Sequence, residues 1–289
     1  MPARILKKIL KLPVQYIWRR KAKSAALELA ASANPGIRGV GLALLEALEG
    51  IFTAEENAWI QKVEQRRSAL LASTEVVPIV DFGAGNPDSR RSAEEMAKGV
   101  ESTCRVADAC AASKPAFWAK LLFKLVRHLQ PSTCVELGTC VGISAAYQAA
   151  ALELNGKGQL VTMEGAPEIA RTARETLEAV GLGNASVVTG SFQAMLQGVL
   201  ERNKPIDYFF NDGHHDHDAV LAYHKQVSPY LADGAVIVFD DISWSPGMRK
   251  AWETIEADPA TAATFDLRAI GIAVTGKSPG GQRNYRLPL

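Results

Sequence analysis

An apolar run is followed by two closely spaced glycines in residues 133–144, which read TCVELGTCVGIS. The first five residues are typical of a buried strand, and Gly138 and Gly142 mark a turn into a helix. Glycines at such a turn let the backbone approach a ligand at the carboxyl end of the strand. Glu136 stands where a pyrophosphate-binding loop has a small residue. The run therefore predicts a ligand-binding turn, with an ordinary tight turn as the alternative.

The alternation of strand and helix patterns continues from this turn towards the C-terminus. We predict strands at residues 133–137, 159–163, 185–188, 206–211 and 235–239, alternating with helices at residues 142–154, 167–180, 192–202, 217–231 and 247–257. This order is typical of right-handed βαβ units, and the continuous apolar strands indicate a parallel sheet covered on both faces. Residues 264–275 and 282–287 are predicted to close the sheet as an antiparallel hairpin.

Three segments of different composition divide the chain. They are a basic amphipathic segment at residues 1–27, a mainly helical cap region at 28–115 and an α/β domain at 116–289. Within the cap region, residues 81–85 read DFGAG and look like a second glycine turn. Such a motif needs a strand that ends in an acid roughly 20 residues later, and polar helix-like sequence follows instead. Two interpretations stay open for this segment, a loop over the active site and a structural turn.

Positive charge is concentrated at the N-terminus. Residues 1–27 hold eight Lys and Arg and no Asp or Glu, although the whole chain has a formal charge of only +1. That small net charge excludes a chain-wide basic field for nucleic acid, and no run is apolar over the ~18 residues of a membrane span. The basic and apolar mixture of residues 1–27 predicts contact with an anionic membrane surface, or a helix that packs on the domain, interrupted near Pro13.

The four cysteines indicate a reducing compartment. None of them forms a CxxC pair, and four in a chain of 289 residues do not make a disulfide scaffold. No signal peptide is visible, because the N-terminus lacks an uninterrupted apolar core followed by small residues. We therefore expect a cytoplasmic protein, with peripheral attachment to the inner face of the membrane as an open alternative.

Acidic residues end three of the predicted strands. Glu164 ends the second strand, 26 residues beyond Gly138, where a carboxylate can accept hydrogen bonds from both hydroxyls of a ribose. Asp212 follows the fourth strand, and Asp240 and Asp241 follow the fifth. The carboxyl ends of parallel strands meet at one rim of the sheet, where three carboxylates repel one another unless a cation joins them. Oxygen ligands favour Mg²⁺ or another divalent cation, and solvated loop acids are the alternative.

Three histidines follow Asp212 in the sequence DGHHDHD at residues 212–218. His215 lies three residues after Asp212, at the rim where an acceptor would bind. His214 and His217 are expected at the surface or at the start of a helix. A zinc site made of the three histidines is a weaker alternative, because their spacing is too tight for a tetrahedral set without other ligands.

Together these residues resemble class I S-adenosylmethionine-dependent O-methyltransferases, of the metal-dependent catechol type and the macrolide-sugar type. Residues 136–144, which read ELGTCVGIS, match the ExGxxxGxS first motif of the catechol-type enzymes, and the resemblance covers roughly residues 116–289. It implies a Rossmann-like α/β fold, with a mostly parallel seven-stranded sheet, a C-terminal antiparallel hairpin and an added N-terminal helical region.

The resemblance also implies how the cofactor is held. Gly138 and Thr139 lie against the methionine part of S-adenosylmethionine, Ser144 caps it, and Glu164 holds the ribose. Residues 190–193 wrap the adenine ring. The full set of implied cofactor-binding residues is Glu136, Gly138, Thr139, Gly142, Ser144, Glu164, Gly190, Ser191, Phe192, Gln193 and Asp212.

For the reaction, the resemblance implies a divalent metal on Asp212, Asp240 and Asp241, with His215 as the general base. One branch of these enzymes has Lys at the base position and the other has His, so the sugar-modifying branch is the closer match. We expect a Mg²⁺-dependent O-methyltransferase that acts on a hydroxyl of a small molecule such as a sugar, glycoside or glycolipid. A hydroxylase-like relative of the cephalosporin hydroxylase type and a non-catalytic, membrane-associated cofactor-binding protein stay open, as does homo-oligomerisation.

Overall fold

The computed structural model describes residues 18–86, 89–277 and 283–289. Residues 1–17, most of the basic segment predicted to contact a membrane, lie outside the described residues. Across the described part of the chain, every helix is too short or too polar to cross a membrane.

Three helices form the first part of the described chain: residues 18–30 (α1), Pro35–Glu49 (α2) and Ala54–Leu71 (α3). Helix α2 begins at Pro35, after Asn34 has accepted a hydrogen bond from an N–H of the first turn. A reciprocal capping box between Thr53 and Glu56 fixes the start of α3. Ala22, Ala26 and Leu29 are buried at helical spacing, so the described part of α1 packs on the domain.

A small antiparallel sheet interrupts the helices of the cap region. Strands β1 (Val76–Asp81) and β4 (Val100–Arg105) pair over their full length, and between them lie β2 (Gly85–Asn86), β3 (Ser89–Arg90) and α4 (Ala93–Lys98). Helices α5 (Val106–Ala111) and α6 (Ala116–Leu129) then lead into the main sheet. The cap region at residues 28–115 is predicted to be mainly helical, and the paired strands β1 and β4 are an addition to that prediction.

The main sheet and its helices occupy the remainder of the chain. The elements are β5 (Thr133–Leu137), α7 (Ile143–Asn155), β6 (Gln159–Glu164), α8 (Pro167–Val180), β7 (Ala185–Thr189), α9 (Phe192–Asn203), β8 (Ile206–Asn211), α10 (His217–Val227), β9 (Leu231–Phe239), α11 (Pro246–Glu256), β10 (Thr261–Asp266), β11 (Gly271–Thr275) and β12 (Arg283–Arg286). The helix predicted to reach residue 231 ends at Val227, and a 3₁₀ turn at Ser228–Tyr230 follows it. The other alternating elements agree with the prediction to within a few residues.

The strands are arranged in the order β12-β10-β11-β9-β8-β5-β6-β7. Strands β5 to β9 are all parallel, and β11 runs antiparallel to both of its neighbours. The predicted α/β class with a mostly parallel sheet is therefore confirmed, and so is a C-terminal antiparallel hairpin.

Two details of the predicted sheet are corrected. Eight strands, rather than seven, are present among the described residues, because β12 pairs in parallel with β10. The hairpin turn lies at residues 267–270, between β10 and β11, and not between residues 275 and 282. The physical reason is a tight turn inside the run predicted as one strand, where Arg268 adopts a positive φ of 73° and Leu267 donates its N–H to the Ile270 carbonyl.

The order of the strands creates a switch point between β5 and β8. The chain adds β6 and β7 on one side of β5 and then returns to add β8 and β9 on the other side, and a crevice opens at the carboxyl ends of β5 and β8. Leu137 pairs with Met163 on one side and with Asn211 on the other, and Asn211 pairs with Phe239. The residues that follow these four positions therefore lie at the same level of the rim.

A buried cluster of charges joins α2 and α3 to α6. The Lys124 Nζ atom lies 2.6 Å from carboxylate oxygens of both Glu46 and Glu56, and the side chain is only 2% exposed. Arg127 adds a contact to Glu56 at 3.1 Å. Burial alone would raise the pKa of Glu56, but hydrogen bonds from Lys124 and the Thr53 backbone bring this pKa below its ordinary value.

Candidate functional site

A cavity of about 440 Å³ opens at the switch point between β5 and β8. The sheet contributes Gly138, Glu164, Asp212 and His215 to its walls, and the cap region contributes residues 79–85. The volume lies within the range of small-molecule sites, and the location is where open α/β sheets bind ligands.

The glycine turn after β5 approaches β8 closely. Gly138 has a φ of +91°, and a Cβ atom placed on it would lie 2.3 Å from the Asp212 carbonyl oxygen. Gly142, with a φ of +87°, packs in the same way against the backbone of Ala173 on α8. A side chain at either position would push the turn away from the rim, so these glycines keep the floor of the cavity in place.

Glu164 at the end of β6 faces the cavity from beside this turn. Its carboxylate accepts hydrogen bonds from the backbone N–H groups of Ala166 and Cys140, each at 2.9 Å. Burial raises the pKa of Glu164, against the opposing effect of these backbone donors. Each carboxylate oxygen can accept a further hydrogen bond, and so the side chain is positioned to receive the hydroxyl groups of a ligand.

Four of the predicted cofactor residues are not part of the cavity wall: Glu136, Thr139, Gly142 and Ser144. Glu136 is fully buried and accepts hydrogen bonds from Gln148 at 2.9 Å and Thr162 at 2.6 Å. Burial raises the pKa of Glu136 to about 7, in spite of these hydrogen bonds. Thr139 bonds to Thr162 at 2.6 Å, and Ser144 also bonds to Glu136. These hydrogen bonds and the close packing of Gly142 on Ala173 hold the shape of the turn.

The segment at residues 190–193 is divided between the wall and the surface. Ser191 and Phe192 line the cavity, and Ser191 also caps α9. Gly190 donates its N–H to the Glu164 carbonyl at 2.9 Å and lies behind the wall. Gln193 is exposed on the first turn of α9 and is not a wall residue.

His214 differs from the expectation of a surface residue. It is only 6% exposed and lines the cavity beside Phe192, with 5.4 Å between the two ring centroids. Its Nδ1 atom lies 2.8 Å from the Tyr223 hydroxyl, and desolvation lowers the pKa of the imidazole. A neutral, wall-forming role follows for His214, whereas His217 begins α10 as expected.

Asp212, Asp240 and His215 form a cluster next to the cavity. One ligand atom of each lies within 4.8 Å of the others. The His215 Nε2 atom is 3.3 Å from Asp212 and 4.0 Å from Asp240, and its Nδ1 atom is 3.9 Å from Asp241. Asp240 is 2% exposed and Asp241 is 39% exposed, so the pair differs strongly in solvation.

Lys114 is a member of this cluster that sequence reasoning missed. Its Nζ atom contacts the Asp240 carboxylate and lies 3.6 Å from Asp212. The residue comes from the loop before α6, about a hundred positions from its partners. A lone lysine between a serine and a proline carries no recognisable signal, and only the folded chain brings it to the rim.

The DFGAG segment lies on the cavity, as one of its two interpretations predicted. The Phe82 ring packs on Gly165, where a Cβ atom would come within 2.6 Å of Cδ2. Ala84 donates its N–H to the His214 carbonyl at 3.3 Å. Arg91 holds the segment together through Asp81 at 2.7 Å. The segment therefore covers the glycine turn and Glu164.

Comparison with known proteins agrees with this geometry. Residues 135–242 match the methyltransferase domain family. This stretch of the chain resembles a methyltransferase domain. The predicted resemblance is confirmed by a 30% identity over 125 residues to a catechol O-methyltransferase of Niastella koreensis. That match covers 43% of this chain and 55% of the relative, so the chain spans about half the length of the curated protein it matches.

Solved structures of methyltransferases share the fold of this chain. An O-methyltransferase from Bacillus cereus in complex with SAH has a TM-score of 0.52 at 21% identity, over 75% of this chain and 90% of that one. An SAH-bound methyltransferase from Podospora anserina has a TM-score of 0.53 at 15% identity, over 77% and 88%. The Rossmann-like methyltransferase fold expected from the sequence is thus confirmed.

Proposed function

We propose that this protein transfers the methyl group of S-adenosylmethionine to a hydroxyl oxygen of a small molecule. The observation that carries the proposal is the continuity of the site. Gly138 and Glu164 line one cavity together with Asp212 and His215. A cofactor position and a group able to take a hydroxyl proton are therefore adjacent, as methyl transfer to oxygen requires. The catechol O-methyltransferase relative and the SAH-bound neighbours support the same reaction class.

The cofactor half of the site fits S-adenosylmethionine. Glu164 would hold the ribose hydroxyls, Phe192 would contact the adenine, and the Gly138 turn would hold the methionine part, since all three residues line the cavity. Glu136 and Thr139 hold the shape of the turn through their hydrogen bonds with Thr162. When bound, the sulfonium cofactor supplies an electrophilic methyl group, and this chain positions the acceptor in line with it.

The acidic half of the site fits a divalent cation such as Mg²⁺. Asp212 and Asp240 direct carboxylate oxygens at the same point, and the Lys114 ammonium occupies that point as a stand-in cation. Asp212, Asp240 and Asp241 would hold the metal, since carboxylate oxygens are the ligands that Mg²⁺ prefers. When bound, the metal would lower the pKa of a coordinated hydroxyl.

His215 takes the proton from the acceptor hydroxyl in this proposal. Its imidazole lines the cavity and is 27% exposed, so an acceptor can reach it. A neutral imidazole nitrogen can accept a proton from a hydroxyl group. The Trp244 ring lies 5.8 Å from the His215 ring and offers an apolar face for a sugar ring. A hydroxyl of a sugar, glycoside or glycolipid is therefore the acceptor that we propose.

A peripheral membrane location remains part of the proposal. In the described part of residues 1–27, the first turn of α1 exposes Trp18, Arg19, Arg20 and Lys21. A basic and aromatic surface of this kind is attracted by anionic lipid headgroups.

Calorimetric titration with S-adenosylhomocysteine tests the proposed function. The wild type should bind the ligand at a single site. Glu164→Ala should bind it roughly 10–100-fold more weakly, because hydrogen bonds to a charged acceptor contribute about 1.5–3 kcal/mol. Glu178→Ala is the matched control, since this exposed glutamate of α8 is remote from the cavity wall. Equal affinities of the wild type and Glu164→Ala would contradict the assignment of Glu164 to the ribose. Failure of the wild type to bind the ligand would contradict the proposed cofactor.

A further inference from the structure

The position of Lys114 is fixed from two sides. Its backbone carbonyl accepts a hydrogen bond from the Arg67 guanidinium of α3 at 3.0 Å. Pro115 follows directly and starts α6 with a φ of −55°. The side chain is 12% exposed and extends to the carboxylates of Asp212 and Asp240. Contacts with the rest of the fold therefore hold both the backbone and the side chain of Lys114, unlike those of a freely moving surface lysine.

The charge balance explains why a cation is needed at this point. Asp240 is almost fully buried, and Asp212 lies close enough for one ammonium group to pair with both. An ionised carboxylate in such a place is strongly disfavoured unless a positive charge compensates it. Lys114 supplies that charge within the described part of the site. A divalent cation on the same two carboxylates would compete with the ammonium, because two positive groups held by the same carboxylates repel each other.

We infer that Lys114 is a built-in competitor of the divalent cation at Asp212 and Asp240. The inference rests on the metal assignment of the proposed function. Without metal, Lys114 pairs with the carboxylates of the acidic rim. With metal, its ammonium is repelled from them. The loop that bears Lys114 follows α5, whose Ala109 also lines the cavity with Ala112. Metal loading and the wall of the cofactor cavity are therefore linked through one short stretch of chain.

Titration of the full-length protein with Mn²⁺, followed by calorimetry, tests this inference without an activity assay. Lys114→Met should bind one Mn²⁺ about tenfold or more tightly than the wild type, because a competing charge has been removed. Lys114→Arg keeps the charge and should stay close to the wild type. Lys120→Met is the matched control, since its ammonium lies over the Phe52 ring and faces no acid of the rim. Adding Asp240→Asn to Lys114→Met should abolish the gain.

Thermal melting provides a second measurement should Lys114→Met fold poorly without metal. Mn²⁺ should then raise the melting temperature of Lys114→Met by more than that of the wild type, because the ion binds only the folded site. Equal Mn²⁺ affinities and equal melting shifts in both proteins would overturn the inference and leave the metal site standing. No Mn²⁺ binding by either protein would overturn both the inference and the metal assignment. Binding of S-adenosylhomocysteine in the same samples shows separately whether the cofactor part of the proposal holds.

Discussion

The main sheet and the cap region build the same cavity by different means. Along the sheet, Glu164, Asp212 and Asp240 each directly follow or end a strand, and the register of parallel strands brings them to one rim. In the cap region, residues 79–85 and Lys114 reach that rim through a few tertiary contacts. Backbone pairing thus places the chemical groups of the sheet, whereas individual side chains and single hydrogen bonds place those of the cap.

This difference has an energetic side. Moving a rim residue of the sheet requires a change in strand register, which would turn a whole buried face outward. Moving the cap requires the loss of contacts such as the Ala84 hydrogen bond to His214, worth about 0.5–1.5 kcal/mol each. Substitutions in the sheet should therefore change the reaction or the stability of the core. Substitutions in the cap region should change how firmly the cap is held on the sheet.

Removal of the proposed base should have the largest effect. His215→Ala should lower kcat by roughly 10²–10⁴-fold, the usual contribution of a positioned base, with cofactor affinity nearly unchanged. Steady-state kinetics over a range of pH values checks this, and the acidic limb of kcat/KM should disappear. His217→Ala is the control, since that side chain pairs with Asp218 outside the cavity. A variant at position 215 that keeps both its rate and its acidic limb would place the base elsewhere.

The junction between cap and sheet should be the most sensitive point of the fold. Lys124→Met leaves Glu46 and Glu56 without their shared cation and should lower the free energy of unfolding by about 3–5 kcal/mol. Urea denaturation measures this, with Lys120→Met on the same helix as the control. If Lys124→Met matches the control, the cap is held by apolar packing alone.

A buried acid of the sheet should make stability depend on pH. The pKa of Glu136 is about 7 in the folded protein, against an ordinary value of 4.5. Folding therefore favours the protonated acid, and its contribution is complete below pH 4.5 and lost as the pH rises to 7. The loss amounts to at most ~3 kcal/mol. Glu136→Gln should flatten this part of the pH profile in chemical denaturation, and an unchanged slope would assign it to other groups.

The smallest expected effect concerns α1, which carries the described part of the basic segment at residues 1–27. Lys21→Gln should weaken binding to phosphatidylserine-containing vesicles about fivefold, since a basic residue near such a surface contributes about 1 kcal/mol. Flotation at two salt concentrations measures this, and the difference should shrink at high salt. Lys98→Gln, on a different helix of the cap, should bind as the wild type does. Identical flotation of Lys21→Gln and the wild type would contradict the proposal that α1 contacts the membrane.

The same contrast explains what the sequence could and could not predict. The apolar period and the acids at strand ends are local signals, and they predicted β5 to β9 and the neighbourhood of Glu164, Asp212 and Asp240. Lys114 and the burial of His214 depend on contacts between distant segments and have no local signature. The prediction of one strand at residues 264–275 was wrong. The turn at residues 267–270 contains no glycine or proline, and Arg268 adopts the left-handed conformation there.

The attachment of α2 and α3 to α6 has a consequence for synthesis on the ribosome. Chains are made from the N-terminus at about 5–20 residues per second, and N-terminal parts emerge first. Val40, Leu44, Ile60 and Val63 are buried in the finished protein, yet the helix and sheet that cover them come later in the chain. These apolar faces therefore stay uncovered for several seconds, until the residues that pack on them have been synthesised. The cap is thus the part of the nascent chain for which a chaperone holding exposed helices would matter most.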